Sequence, residues 1–292
     1  MTENKSKDSF KTVISSKTKL FDLKLKEISS YKDLIFLLVK KDFVAKYKQT
    51  ALGPLWAVIQ PLLTTVVFSI VFGTLAGLPV SDGNAQINVP PFLFYMAGTV
   101  LWSYFSSVLS VTSGTFINNA PVMTKVYFPR IAMPISTAIS YLITFGIQLI
   151  LFIVTYAVCL INGSMQVALT PYVALMPLAL IQLMILSTGV GIIISAMTTK
   201  YRDLAMLVAF GLQLWQYGTP VAYGLKLIPE KYIGLYMLNP VTPPLLAFRY
   251  GAFGDGFFDL KYYLIGWAMT IAIGLFGLLL FNRIEKNFAD TV

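Results

Sequence analysis

Histidine, cysteine, clustered carboxylates and phosphate-binding loops carry most protein chemistry, and this 292-residue chain is poor in all of them. It has no histidine and one cysteine, Cys159. The commonest general base and metal ligand is therefore missing, as is any disulfide framework or cysteine-based metal site. No Gly-Lys dipeptide occurs, so a Gly-x4-Gly-Lys-Ser/Thr loop for nucleotide phosphates is excluded. The carboxylates Asp82, Glu230, Asp255 and Asp259 sit in segments without a recognisable catalytic motif. An enzyme acting on a membrane-bound substrate would need carboxylates or metal ligands in a defined array, and none is legible. No potassium-filter sequence is present either.

What the chain has in quantity is apolar and aromatic surface. Hydrophobic residues make up 57%, aromatic residues 14% and charged residues 12%, with a mean hydropathy of +0.73. A soluble domain carries about 25% charged residues. The deficit is local: residues 49–81, 83–124, 131–199, 204–225 and 262–282 contain no Asp, Glu, Lys or Arg. About 20 apolar residues carry a helix across the hydrocarbon core. The stretch 131–199 is long enough for two crossings, divided at Asn162-Gly163-Ser164 and Thr170-Pro171. Six spans are predicted, at 55–79, 92–117, 131–161, 171–197, 204–224 and 262–282. A membrane β-barrel would show short stretches of alternating polarity, whereas these segments are apolar all round. No apolar run near the start has the form of a cleavable signal.

Charge sets the expected orientation. Residues 1–50 hold 12 of the 22 basic residues against six acidic ones. With the N-terminus inside, Lys125, Arg130, Lys200, Arg202, Arg283 and Lys286 are inside as well, and only Lys226, Lys231, Arg249 and Lys261 lie outside. The positive-inside rule then places both termini in the cytoplasm. The net charge of +9 belongs to this asymmetry; no recognition module for nucleic acid accompanies the lysines.

The elements follow from local pattern. Residues 1–28 form a Lys-rich tail, expected to be mobile and cytoplasmic. Residues 29–50 are expected to form an amphipathic interfacial helix, too short to span. It opens at Ser30-Tyr31-Lys32-Asp33, a capping-box pattern with Asp in place of Glu, and Tyr31, Leu34, Ile35 and Leu38 follow at helical spacing. Phe36 and Leu37 broaden its apolar face. Residues 51–285 form the transmembrane domain and 286–292 a cytoplasmic tail. The first span opens at Gly53-Pro54-Leu55-Trp56, where proline is tolerated, and Pro61 should loosen it, with a neighbour satisfying the freed carbonyl. The loop 118–130 holds two prolines, and 198–203 is short and charged. Between spans five and six, 232–248 is uncharged but broken by three prolines, which predicts short re-entrant helices. Ser187, Gly191 and Ser195, like Gly73 and Gly77, form small-residue ridges suited to helix packing within the subunit or between copies. The fold class is thus all-α integral membrane.

No predicted span carries an ionisable group in its apolar core, which disfavours ion-coupled transport without excluding it. Phe68 and Phe72 in the first span, and Phe210, Trp215, Tyr217 and Tyr223 in or beside the fifth, offer flat faces that suit a sliding sugar polymer. Equally, they suit lipid contact or helix packing.

Several motifs together resemble the polysaccharide and polyol-phosphate export permeases of the type 2 ATP-binding-cassette exporters, which serve O-antigen, capsule and teichoic acid. They are Lys46-Tyr47-Lys48-Gln49-Thr50-Ala51-Leu52-Gly53-Pro54-Leu55-Trp56 with Pro61 and Val71-Phe72-Gly73; Asn118-Asn119 and Lys125 through Phe128-Pro129-Arg130; Tyr201-Arg202-Asp203; Thr219-Pro220-Val221 with Tyr223; and Leu238-Asn239-Pro240 followed by Arg249. The likeness covers about residues 30–285. It implies a homodimer of permeases over two cytoplasmic ATPase subunits that hold ATP and magnesium, with no cofactor in this chain. It implies coupling to the ATPase through Asp42, Lys46, Asn118, Lys125 and Arg130. Phe68, Phe72, Phe210, Trp215, Tyr217 and Tyr223 would line the substrate channel, and Asn239, Pro240 and Arg249 would belong to an external gate. The substrate implied is a glycan or polyol-phosphate chain on a polyprenyl diphosphate, entering from the inner leaflet. A drug or lipid exporter of the same superfamily and an ion-coupled carrier remain the alternatives.

Overall fold

The computed structural model describes residues 31–48, 50–78, 80, 89–119, 128–165, 171–198, 201, 203–254 and 256–291, with side chains through Arg283 in the last helix. The tail 1–28, Ser30, Asp82, Lys125, Lys200, Arg202 and Asp255 lie outside the described residues. Every regular element among those described is helical.

Helix α1 is Lys32–Tyr47, with Tyr31 at its N-cap and no side-chain cap there. A 3₁₀ turn, Gly53–Leu55, leads into α2, Trp56–Phe68, which continues as a π-helix through Ser69–Leu75. Then come α3, Pro91–Ser113, and the short α4, Thr115–Asn118, offset by a break at Gly114. Helix α5 is Ala132–Ile161; α6 is Leu175–Thr198, preceded by the 3₁₀ turn Pro171–Ala174. Helix α7 is Leu204–Tyr217, α8 Glu230–Met237, α9 Thr242–Phe253 and α10 Leu260–Thr291. Five helical stretches are long and apolar enough to cross a membrane: Gly53–Leu75, Pro91–Ser113, Ala132–Ile161, Pro171–Thr198 and Leu260–Arg283. The turn predicted between the third and fourth is present, with Gly163 at φ 66°, a left-handed value that favours glycine.

The fifth predicted span differs. Helix α7 stops after 14 residues, about 21 Å at 1.5 Å per residue, because Gly218 and Pro220 end the helical run. Residues 218–224 continue as irregular backbone, with Thr219, Val221 and Ala222 buried. Non-helical chain at membrane depth is sustainable only where protein surrounds it, and α3 and α9 supply that wall.

Helix α3 is the hub. Leu93, Tyr95, Ala97, Phe105 and Val108 are fully buried along it, and α2, α5, α6, α7 and α9 all pack against it. Small residues set the closest approaches. A methyl group at Gly191 of α6 would sit 2.6 Å from Thr112 of α3, and one at Gly277 of α10 would sit 2.8 Å from the Gly189 carbonyl of α6. With Ser187 and Ser195 also buried, the Ser187-Gly191-Ser195 ridge is used inside the subunit.

Pro61 has no N–H, so the Ala57 carbonyl one turn earlier loses its intrahelical donor. Gln148 of α5 supplies the replacement, its Nε2 donating to Ala57 O at 3.0 Å, and it is buried there. Thr65 fixes the same helix to α3 through a 2.7 Å hydroxyl contact with Thr99. Replacing Gln148 with leucine leaves the Ala57 carbonyl unsatisfied in an apolar setting, at a cost of about 1–3 kcal/mol. A lowered thermal midpoint of the purified protein is expected, and an unchanged one would remove Gln148 from this role.

Candidate functional site

Two polar constructions stand out in an otherwise apolar bundle, one at each end of α3. At the Pro91 end, Arg249 of α9 is buried to 1% exposure. An arginine in this position needs its donors satisfied, since a buried charge without partners is very costly. Nη1 donates to the Pro220 carbonyl and Nη2 to the Val221 carbonyl, both at 2.8 Å. The guanidinium also stacks over Phe94, 3.8 Å from the ring centroid, a cation–π contact strengthened by desolvation. Gly98 makes room for it: a methyl group there would lie 2.7 Å from both Nη2 and the Val221 carbonyl. One side chain thus ties α9, α3 and the irregular segment after α7 together. Counting Arg249 among the charges of an outside loop was therefore too coarse; it is an internal structural cation.

Asn239, between α8 and α9, holds the same region from another side. Its Oδ1 accepts from Trp215 Nε1 at 2.9 Å and from the Val241 N–H at 3.2 Å. Its Nδ2 donates to Thr219 Oγ1 at 2.9 Å and to the Gly218 carbonyl at 3.2 Å. Pro240 follows in the turn. All three residues assigned to an external gate by resemblance thus sit in one hydrogen-bonded cap over the end of α7. Gly254, at φ 67°, ends α9 in a left-handed cap.

At the other end, α1 lies along α5. Leu38 enters a small core with Phe116, Phe128, Met133, Ile192 and Phe281, and Tyr31, Leu34 and Ile35 pack on it, so the predicted stripe is the one used. Phe36 and Leu37 remain 72% and 61% exposed. Thr198 Oγ1 donates to the Ser113 carbonyl at 3.1 Å, and the Phe116 N–H donates to Ser195 Oγ at 3.3 Å, which closes α4 onto α6. Between α1, the end of α3 and α5 lies a cavity of about 280 Å³. Asp42, Lys46, Asn118, Asn119, Ser140 and Thr144 are among its lining. Lys46 Nζ donates to Thr144 Oγ1 at 3.5 Å and lies 4.2 Å from the Tyr141 ring centroid; Tyr47 pairs with the same threonine hydroxyl at 3.1 Å. Lys46 is exposed as a whole, yet partial desolvation lowers its pKa. Burial raises that of Asp42, which Lys41 partly offsets. Three of the five residues assigned to ATPase coupling therefore surround one cavity. Arg130 is half-buried in the turn before α5, and Lys125 lies outside the described residues.

The aromatic residues assigned to a channel divide. Phe68 is buried and meets Phe72 edge-on at 5.4 Å. Trp215 is half-buried, edge-on to Phe105 at 5.2 Å and bonded to Asn239. Tyr223 donates to the Tyr217 carbonyl at 2.9 Å and lies 3.4 Å from the Tyr236 hydroxyl. Phe210 and Tyr217 are more than half exposed. They share the outward face of α7 with Met206, Leu207 and Leu214, and no residue of α7 is buried. On α2 and its π-helical end, Leu63, Val67, Ile70 and Val71 also point away from the subunit.

Several residues escaped the reading by charge. Gln148, Gln182, Thr137, Ser140 and Thr144 are uncharged, so a search for ionisable groups passes over them, yet all five are buried. A glutamine inside an apolar helix must find a partner in lipid surroundings; Gln182 Nε2 finds Thr270 Oγ1 at 3.4 Å. That requirement was the available signal.

Comparison with known proteins matches residues 33–253 to the family described as "ABC-2 type transporter". The chain is 29% identical over 259 residues to an "O-antigen export system permease protein RfbA" of Klebsiella pneumoniae, covering 88% of this chain and 94% of that protein. It is 26% identical over 228 residues to a protein of the same description from Myxococcus xanthus, covering 77% and 82%. It is also 24% identical over 226 residues to the "Inner membrane transport permease YadH" of Escherichia coli (strain K12), covering 72% and 86%. The family match takes in α1, the first five apolar segments and the capped region through α9, and on that extent this chain belongs to the ABC-2 type transporter family.

Proposed function

We propose that the chain is the inner-membrane permease of an ATP-driven exporter that moves a polyprenyl-diphosphate-linked polysaccharide of the O-antigen type outward. The observation that carries this reading is similarity to O-antigen export permeases over 88% of this chain and 94% of theirs. ATP hydrolysis belongs to a separate cytoplasmic subunit, since this sequence has no phosphate-binding loop of its own. The basic excess of residues 1–50 orients both termini, α1 and the 118–130 loop toward the cytoplasm. Two copies of the ATPase would dock there, against the loop, Lys125 and Arg130.

The chain would work as a pair. Helices α2 and α7 both pack on the hub helix α3 and turn largely apolar faces outward, an arrangement suited to a second copy and a path between the two. Phe210 and Tyr217, open on α7, and Phe72 are the aromatic residues we assign to that path. Phe68 and Trp215 are held inside the subunit, so we assign them to its packing. The Arg249 and Asn239 cap would then stand at the exit.

Co-purification of the tagged chain from its native membranes, with mass spectrometry of its partners, tests this reading. A stoichiometric P-loop ATPase is expected, and deletion of the gene should leave lipid-linked polymer on the cytoplasmic side. A homo-oligomer without ATPase, isolated in mild detergent, would overturn the reading in favour of a carrier.

A further inference from the structure

The cavity between α1 and α5 has an uncommon charge arrangement. Asp42 and Lys46 stand four residues apart on α1, acid first, the spacing and order that favour an intrahelical ion pair. They do not behave as one. Lys46 turns to the Tyr141 ring and the Thr144 hydroxyl, and partial desolvation is what lowers its pKa. The cation that offsets the burial of Asp42 is Lys41. The cavity lining thus includes one anion and one cation, together with the hydroxyls of Thr137, Ser140 and Thr144 and the carboxamides of Asn118 and Asn119. An ammonium has three donors, and Thr144 and the ring occupy only part of that capacity.

We propose that this cavity holds the phosphoethanolamine headgroup of a membrane lipid, with its phosphate on Lys46 and its primary amine on Asp42. The charges fit a zwitterion: a purely anionic headgroup or free phosphate would meet the Asp42 carboxylate without compensation, and a quaternary ammonium cannot donate a hydrogen bond to it. Size agrees, since about 280 Å³ falls just below the usual range for small-molecule pockets and leaves no room for a polymer. Location agrees too. Phe36 and Leu37, exposed on α1, suit the acyl boundary of the leaflet on which an interfacial helix rests. Ser140, Tyr141 and Thr144 come from a membrane-spanning helix at the same level. The bound lipid would act as a fitted part between α1 and α5, independently of which substrate the transporter moves.

The test uses full-length chain in nanodiscs made with phosphatidylethanolamine, its N-methylated derivatives, phosphatidylcholine or phosphatidylglycerol, with retained lipid counted by native mass spectrometry. Wild-type chain is expected to retain phosphatidylethanolamine about tenfold better than phosphatidylcholine, the worth of one charge-assisted hydrogen bond, with retention falling along the methylation series. This comparison changes the lipid only, so it does not depend on a variant folding. Asp42→Asn should abolish the difference among headgroups, and Lys46→Met should lower retention of all of them. Equal retention of every lipid by wild type overturns the proposal, as does a preference for phosphatidylglycerol. Displacement of the lipid by inorganic phosphate or by a polyprenyl diphosphate would also overturn it, and would assign the cavity to that anion instead.

Discussion

Arg249→Met is expected to cost roughly 2–5 kcal/mol of stability, the sum for two buried carbonyl acceptors left without donors. The Pro220 and Val221 carbonyls both accept from this guanidinium at 2.8 Å, and they belong to irregular backbone that no helix partner can satisfy. Methionine fills much of the volume, so the loss reports the hydrogen bonds together with the cation–π contact to Phe94. The thermal midpoint should fall on the order of 10 °C. Arg249→Lys should recover only part of the loss, because one ammonium cannot reproduce the planar fork that reaches two adjacent carbonyls. A variant with an unchanged midpoint would show that the cap is held by Asn239 and packing alone. The Gly98 side of the same joint offers an independent check. Gly98→Ala crowds Nη2 and the Val221 carbonyl, so its effect should shrink in an Arg249→Met background.

Gly277→Leu is expected to be of comparable severity, through sterics rather than hydrogen bonding. The added carbon would start 2.8 Å from the Gly189 carbonyl oxygen, which is backbone and cannot rotate away. Helices α6 and α10 would have to separate along their whole contact, and Gly189 and Gly274, themselves in close approach, would lose it. Overpacking of this kind costs about 1–3 kcal/mol or more, and close approach at small residues is a main source of helix association in lipid. The measurement is the yield of monodisperse protein and its thermal midpoint. Gly146→Ala on α5 is the matched control: nothing lies within 4 Å of the added methyl, and alanine is the better helix former by about 1 kcal/mol. Equal behaviour of the two variants would mean that the α6–α10 contact contributes little.

Both joints lie where the linear pattern is least informative. The charge-free runs alone establish that the chain is helical and membrane-spanning, because a spanning backbone must satisfy its own hydrogen bonds and a helix does so locally. The turn at Asn162-Gly163-Ser164, the entry of the first span at Gly53-Pro54 and the stripe Tyr31, Leu34, Ile35 and Leu38 were legible for the same reason. Each depends on residues within a few positions of one another. The fifth span was overextended, to 224 rather than Tyr217, because apolar composition does not distinguish helix from irregular chain sheltered by protein.

The sequence by itself determined composition, the five long apolar spans, charge asymmetry and family membership, since these are properties of the residues and their order. Only the tertiary structure decided which polar side chains meet. Arg249 looked like a loop charge until α3 and the segment after α7 enclosed it. Gln148 had no visible task until Pro61, 87 positions earlier, exposed a carbonyl beside it. The four-residue spacing of Asp42 and Lys46 allows an intrahelical pair, but α5 offers the lysine Tyr141 and Thr144 instead. In each case a partner distant in sequence fixes the role, and the cost of leaving a polar group unsatisfied in an apolar interior is what selects that partner.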